Sequence, residues 1–242
     1  MCLCVQLTFA SYNIRKAIGR DRRRNPERIL TVLGEIDADV VALQEVDRRV
    51  GKRASALPLS MILEHTSYRP VQLATKPQSL GWHGNALLVK QHLDILDAGP
   101  VPLPTLEPRG AVHVDLAYGS RRLRVVGMHL DLSGLRRRKQ VRTILAHLSG
   151  QTEDLPTVLL GDFNQWTAQS GCLREFGQGW QLLSPGRSYP ARSPVARLDR
   201  VIASPEWQIV RTGVHRSALS ARGSDHLPIW AELSLPKKQA AA

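Results

Sequence analysis

The segment "DVVALQEV", residues 39–46, constrains the fold more than any other stretch of the chain. It is continuously apolar from Val40 to Leu43, shows no helical period, and is far too short to cross a bilayer. A run of this kind is a β-strand covered on both faces, which requires a sheet with a further layer on each side. Its end delivers Gln44 and Glu45. Comparable strands are predicted at "VQLTFASYN", "GNALLVK", "LDILDAG", "AVHVDLAY", "RRLRVVGMHL", "TVLLGDFN", "RLDRVIAS", "WQIVRTGVH" and "LPIWAELSL".

Two helices stand out. In "NPERILTVLGEI", Asn25 is placed as the N-cap and Pro26 at the first helical position, with Ile29, Leu30 and Leu33 on one face. In "LRRRKQVRTILAHL", Val141, Ile144, Leu145 and Leu148 face inward. Many strands with few, peripheral helices predict two packed sheets with helices outside, an α/β sandwich in layers.

A length of 242 residues with 43% hydrophobic content suffices for one large core or two small ones. No linker, composition change or internal repeat divides the chain, so a single domain over 1–242 is expected, with a core of about 5–235 and a short basic, Ala-rich tail. The first residues read as a strand and not as a signal peptide, and Cys2, Cys4 and Cys172 form neither a disulfide framework nor a zinc set. A cytoplasmic monomer is the expectation. Lys+Arg 33 against Asp+Glu 21 leaves a formal charge of +12, which favours polyanionic partners: nucleic acid, anionic lipid or phosphorylated small molecules.

Polar residues recur at strand ends. Asn13 closes the first strand, Glu45 ends "VALQE", His129 ends "VVGMH", and Asp162 and Asn164 end "TVLLGDFN". Asp199 opens "LDRVIA", and Asp225 and His226 precede "LPIW". Each alone has an ordinary account: a solvated strand end, a Gly-Asp-Asn turn, a satisfied core histidine, a cap. Together they make a rigid scaffold presenting one site. Carboxylates with an amide oxygen suit Mg²⁺ or Mn²⁺ more than zinc, and imidazoles donate to phosphate oxygens. No Walker loop or Gly-rich dinucleotide turn is present.

In this order, "SYNI", "LQEV", "GNALL", "GMHL", "GDFN", "RLDRV" and "SDHLP" resemble the motifs of the endonuclease/exonuclease/phosphatase superfamily, and in particular its compact bacterial members. The resemblance runs from residue 11 to 228. It implies a four-layer, DNase I-like α/β sandwich and a divalent-metal-dependent phosphodiester hydrolase using Mg²⁺ or Mn²⁺. It further implies that Glu45 ligates the metal with Asn13 and Asp225 in or next to its shell, and that Asp162 activates the attacking water with help from Asn164. By the same resemblance Asp199 orients His226 against the scissile phosphate, His129 donates a second hydrogen bond, and Asn85 belongs to the phosphate-binding set. No carboxylate partner for His129 is identified in the sequence. The chain departs from the abasic-site nucleases in its first strand and at "MHL", and carries Arg15 where near relatives often have His.

Three basic clusters follow strand ends that bear site residues: Arg20, Arg22, Arg23 and Arg24; Arg48, Arg49, Lys52 and Arg53; and Arg136, Arg137, Arg138 and Lys139. Their placement predicts a basic rim, with Arg22, Arg23, Arg137 and Arg138 gripping a phosphate backbone. Arg121, Arg122 and Arg124 read as solvated charge in a distal hairpin, and Trp166 either stacks on a base or sugar or packs. The favoured expectation is a nuclease acting on DNA. The alternative is a phosphodiesterase or phosphatase of phospholipid head groups or inositol phosphates. A non-catalytic nucleic-acid-binding relative is disfavoured, because a full set of site residues is present.

Overall fold

The computed structural model describes residues 5–48, 54–73, 77–105, 109–167 and 170–236. It contains β1 (Val5–Asn13), β2 (Val40–Gln44), β3 (Tyr68–Pro70), β4 (Ala86–Lys90), β5 (Asp94–Val101), β6 (Gly110–Tyr118), β7 (Arg121–His129), β8 (Thr157–Asp162), β9 (Gln181–Leu183), β10 (Asp199–Ala203), β11 (Gln208–Val214) and β12 (Ile229–Leu235). The α-helices are α1 (Pro26–Ile36), α2 (Leu59–His65), α3 (Gly134–Ser149) and α4 (Ser220–Gly223). The strands form two six-stranded sheets, ordered β11-β12-β1-β2-β4-β3 and β5-β6-β7-β8-β10-β9.

Strand alternation builds the layers. Phe9, Val40 and Ala42 point between the sheets and pack with Leu87, Val112, Val125 and Leu160. The intervening Ala10, Tyr12, Val41 and Leu43 point outward and are covered by Ile29, Leu30, Val32 and Leu33 of α1. On the opposite side Val126, Met128, Leu159 and Ile202 are covered by Val141 and Ile144 of α3. Both faces of "VVAL" are therefore dry, which is why no polar residue interrupts it.

Helix α1 starts as its sequence dictates: the Asn25 side chain accepts from the Arg28 amide at 2.8 Å, and Pro26 follows. The elements without a sequence signal are short. Strands β3 and β9 each lie at the edge of a sheet, where brief, irregular strands limit further pairing. "LPIWAELSL" becomes a strand only from Ile229, so the segment carrying Asp225 and His226 is a loop. Arg124 also differs from expectation: it is buried and forms two 2.7 Å bonds to Asp115 across β6 and β7. A paired guanidinium in that dry position is structural, not solvated charge.

Candidate active site

Register brings the chemistry together. β8 runs parallel to β7 with His129 opposite Asp162, and antiparallel to β10 with Asp199 opposite Asp162. The acid of "GDFN" is thus flanked by a histidine and a second acid on neighbouring strands. Gly161 makes this approach possible: at its φ of 153°, a Cβ would sit 1.9 Å from the Met128 carbonyl oxygen. No other residue fits there.

Three side chains converge on Oδ2 of Asp162. Asn13 donates to it from Nδ2 at 3.1 Å, His129 Nε2 lies at 3.4 Å and His226 Nε2 at 3.8 Å. The other oxygen, Oδ1, accepts the Asn164 amide at 2.9 Å. The Asn164 side chain donates to the Leu130 carbonyl at 3.0 Å, and its backbone φ of 50° turns the chain sharply there.

His226 is held by loop-to-loop contacts, not by strand β12. The Leu227 amide donates to Ser188 O, the Ala191 amide donates to Asp225 O, and the Ser224 hydroxyl donates to Asn13 O at 2.6 Å. Nδ1 of the His226 ring meets Asp199 Oδ2 at 2.9 Å, and the Ser188 hydroxyl donates to the same oxygen. Burial alone would depress the imidazolium, but the carboxylates of Asp199, Asp162 and Asp225 outweigh it and hold the pKa up to about 10.

His129 is in the opposite state. Burial, joined by the Arg109 guanidinium against the pull of Asp162, lowers its pKa to about 4. Arg109 is buried, bonding His129 Nε2 and donating to the Leu130 carbonyl at 2.7 Å. Nε2 therefore accepts, and the 3.4 Å approach of Asp162 is too long to compete. The expectation of a phosphate-facing donor at His129 is corrected on this ground: its Nε2 is already an acceptor. Arg109 escaped the sequence reading because "EPRG" carries only a turn signal.

Glu45 occupies a left-handed conformation, φ 54°, just beyond β2. Its carboxylate pairs with Lys16, and Asp225 lies 3.5 Å from Arg15 Nε. Asn13 Oδ1 accepts the Arg15 amide at 3.1 Å. Asn85 is buried beside them, next to Gly84, which lies against Glu45; its Oδ1 has no hydrogen-bond partner among the described residues. Two carboxylates that already hold cationic side chains, with amide oxygens nearby, are a hard-oxygen set that fits Mg²⁺ or Mn²⁺. Asp162, Asp199 and His226 also offer atoms within 4.8 Å of one another, close enough to share an ion. There, however, Asp199 and His226 already satisfy each other, an arrangement better suited to orienting a proton than to caging a metal.

The basic rim is only partly as expected. Arg22 and Arg23 are exposed. Arg138 is exposed but pairs with Glu175, which also holds Arg142. Arg137 is buried: it donates to the carbonyls of Asp131 and Leu132 and to Gln165 Oε1 at 3.2 Å. It braces the loop beyond His129 against the one beyond "GDFN", so it cannot reach out to a polyanion. Arg48 is exposed, while Arg49, Lys52 and Arg53 lie outside the described residues. Trp166 is 62% exposed and meets Tyr189 edge-on at 6.2 Å; Tyr189 in turn packs on His226 with ring centroids 4.8 Å apart.

Residues 10–226 match the model of the Endonuclease/Exonuclease/phosphatase family. The chain belongs to this family. Its members are phosphoesterases, typically dependent on a divalent metal. It is similar to YbhP of Escherichia coli K12, described as an uncharacterized protein, with 25% identity over 169 residues. That alignment takes in 64% of each chain, so the match spans under two thirds of the length of the curated relative. In fold it is similar to a mannosyl-6-phosphatase of Bacteroides thetaiotaomicron (TM-score 0.72, 20% identity, 94% of this chain and 99% of that one). It is also similar to D. rerio TDP2 complexed with single strand DNA product (TM-score 0.74, 17% identity, 94% and 98%). No helix among the described residues is long and apolar enough to cross a membrane.

Proposed function

We propose that this chain hydrolyses a phosphodiester by an Asp162-activated water, with Glu45, Asn13 and Asp225 holding Mg²⁺ or Mn²⁺. The observation that carries the reading is an Asp162 carboxylate held by Asn13 Nδ2 at 3.1 Å and by the Asn164 amide at 2.9 Å, with His226 Nε2 3.8 Å away. A carboxylate fixed by donors at known positions can orient a water and take its proton. His226, charged and locked by Asp199, presents Nε2–H to a phosphate oxygen or to the leaving oxygen. Arg109, steadied against His129, adds a permanent positive charge to the same pocket wall. Asn164 fixes the Asp162 carboxylate through its backbone amide, and Asn85 offers a buried amide to the phosphate. A bound divalent ion supplies charge neutralisation at the phosphate oxygens.

DNA is the first substrate reading. It is supported by the +12 charge, by the exposed Arg20, Arg22, Arg23 and Arg24, and by the likeness in fold to a TDP2 whose structure carries a single-stranded DNA product. A phospholipid head-group diester is the second, supported by exposed apolar side chains on loops that neighbour site residues. The experiment is a substrate panel with Mg²⁺ or Mn²⁺ against EDTA: plasmid, single-stranded and abasic DNA, phospholipid in detergent micelles, and phosphomonoesters. Metal-dependent cleavage of a diester supports the proposal. Turnover confined to phosphomonoesters would overturn it.

A further inference from the structure

Among the described residues, the four most exposed large apolar side chains are Leu135 (79%), Leu132 (64%), Trp166 (62%) and Val195 (61%). Single exposed apolar residues are ordinary, and the less exposed Leu63, Leu59, Ile209, Leu96 and Val210 lie on other elements. These four are linked to one another and to the site. Leu132 follows the strand end bearing His129 and gives its carbonyl to Arg137, whose other nitrogen holds Gln165, the neighbour of Trp166. Leu135 lies in the first turn of α3, just beyond. Trp166 meets Tyr189, Tyr189 packs on His226, and the Val195 amide donates to Tyr189 O at 2.8 Å.

The catalytic machinery uses none of the three aliphatic residues. The backbone beneath them is nevertheless fixed: Arg137 grips one side, and Arg200 donates to Gln165 O at 3.3 Å on the other. Exposed cations border the patch, with Lys139 beyond Leu135 and Arg192 and Arg197 on either side of Val195. Fixed aliphatic and tryptophan side chains at one rim, edged with cations, have the composition of a surface that inserts at the boundary of an anionic bilayer. The backbone of duplex DNA presents mainly charged phosphates to such leucines and valine, and unstacked bases would engage Trp166 and Tyr189 but gain little from aliphatic neighbours.

We infer that Leu132, Leu135, Trp166 and Val195 form a docking apron that seats the site mouth on an anionic lipid surface. This rests on the second substrate reading, because docking in that orientation turns His226 towards lipid-borne phosphodiesters.

The test is co-sedimentation of the protein in EDTA with phosphatidylcholine vesicles, with and without phosphatidylglycerol, beside binding of a single-stranded oligonucleotide. Wild type should sediment with phosphatidylglycerol vesicles. The double variant Leu132→Ser/Leu135→Ser should bind them at least roughly tenfold more weakly, from the apolar area lost. It should keep its oligonucleotide affinity and its turnover of bis(p-nitrophenyl) phosphate. No sedimentation of wild type, unchanged sedimentation of the variant, or an equal loss of oligonucleotide binding overturns the docking surface. Detergent-dispersed phosphatidylglycerol tests the substrate reading by itself: vesicle binding without head-group turnover leaves the apron standing and removes the lipid substrate.

Discussion

Nδ1 of His226 lies 2.9 Å from Oδ2 of Asp199, and that oxygen also accepts the Ser188 hydroxyl. Asp199 touches no substrate in this arrangement; it fixes the ring and keeps it charged. Asp199→Asn should therefore cost kcat by roughly 10²-fold or more, since an amide neither stabilises the imidazolium nor fixes its tautomer. Ser188→Ala should cost less. Kinetics of Asp199→Asn, His226→Ala and the double variant check the coupling. If the two single losses multiply, the residues act independently and the pairing plays no part.

Glu45→Gln should raise the Mg²⁺ or Mn²⁺ concentration required for activity and cut the rate at saturation, because it keeps the shape and removes the charge. Titration of activity against metal, with circular dichroism to verify the fold, makes the comparison. A wild-type rate and metal requirement would remove Glu45 from the ligand set.

Arg137→Ala should lower kcat on every substrate, including small soluble diesters, and cost roughly 1–3 kcal/mol of stability by stranding carbonyls that it now satisfies. Arg22→Ala with Arg23→Ala should leave small-diester turnover unchanged and flatten the salt dependence of DNA binding. Each lost phosphate contact reduces the log–log slope by roughly 0.9. Affinity against salt, beside small-ester kinetics, separates a bracing arginine from backbone-contacting ones.

The two histidines give the metal-free protein opposite pH responses. His129 falls to about 4 in the fold. Below its unfolded value of about 6.5 the unfolded chain takes up the proton first, so stability drops as pH falls towards 4. His226 is held up to about 10, so its contribution is complete below about 6.5 and is lost as pH rises through 10. Thermal melts in EDTA should show greatest stability near neutrality, with His129→Gln flattening the acid limb and His226→Gln the alkaline one. An unaltered limb in either variant contradicts the assigned state of that histidine.

How much was legible in the sequence follows from where the signal resides. His129, Asp162 and Asp199 end or open strands whose apolar runs are unmistakable, so their approach to one another could be read from strand ends alone. The Asn25 cap and the inward face of α3 were equally plain. Arg109 and Ser188 were not, because their roles come from contacts between segments distant in the chain and their local sequence signals only turns. Arg137 was misplaced for a related reason: in a run of four basic residues, only the helical phase of α3 against the Gln165 loop decides which one turns inward. The opening of β12 at Ile229, not Leu227, likewise depends on the bonds of Leu227 and Asp225 to the 188–191 loop.

The central claim is metal-dependent phosphodiester hydrolysis centred on Asp162. Its most direct test is kcat/KM for bis(p-nitrophenyl) phosphate in wild type and Asp162→Asn, each stripped with EDTA and then reloaded with Mg²⁺ or Mn²⁺. The account predicts wild-type activity that disappears on stripping and returns on reloading, and a loss of roughly 10²–10⁴-fold in the reloaded variant. Turnover that survives stripping, or a variant within a few-fold of wild type, would contradict it.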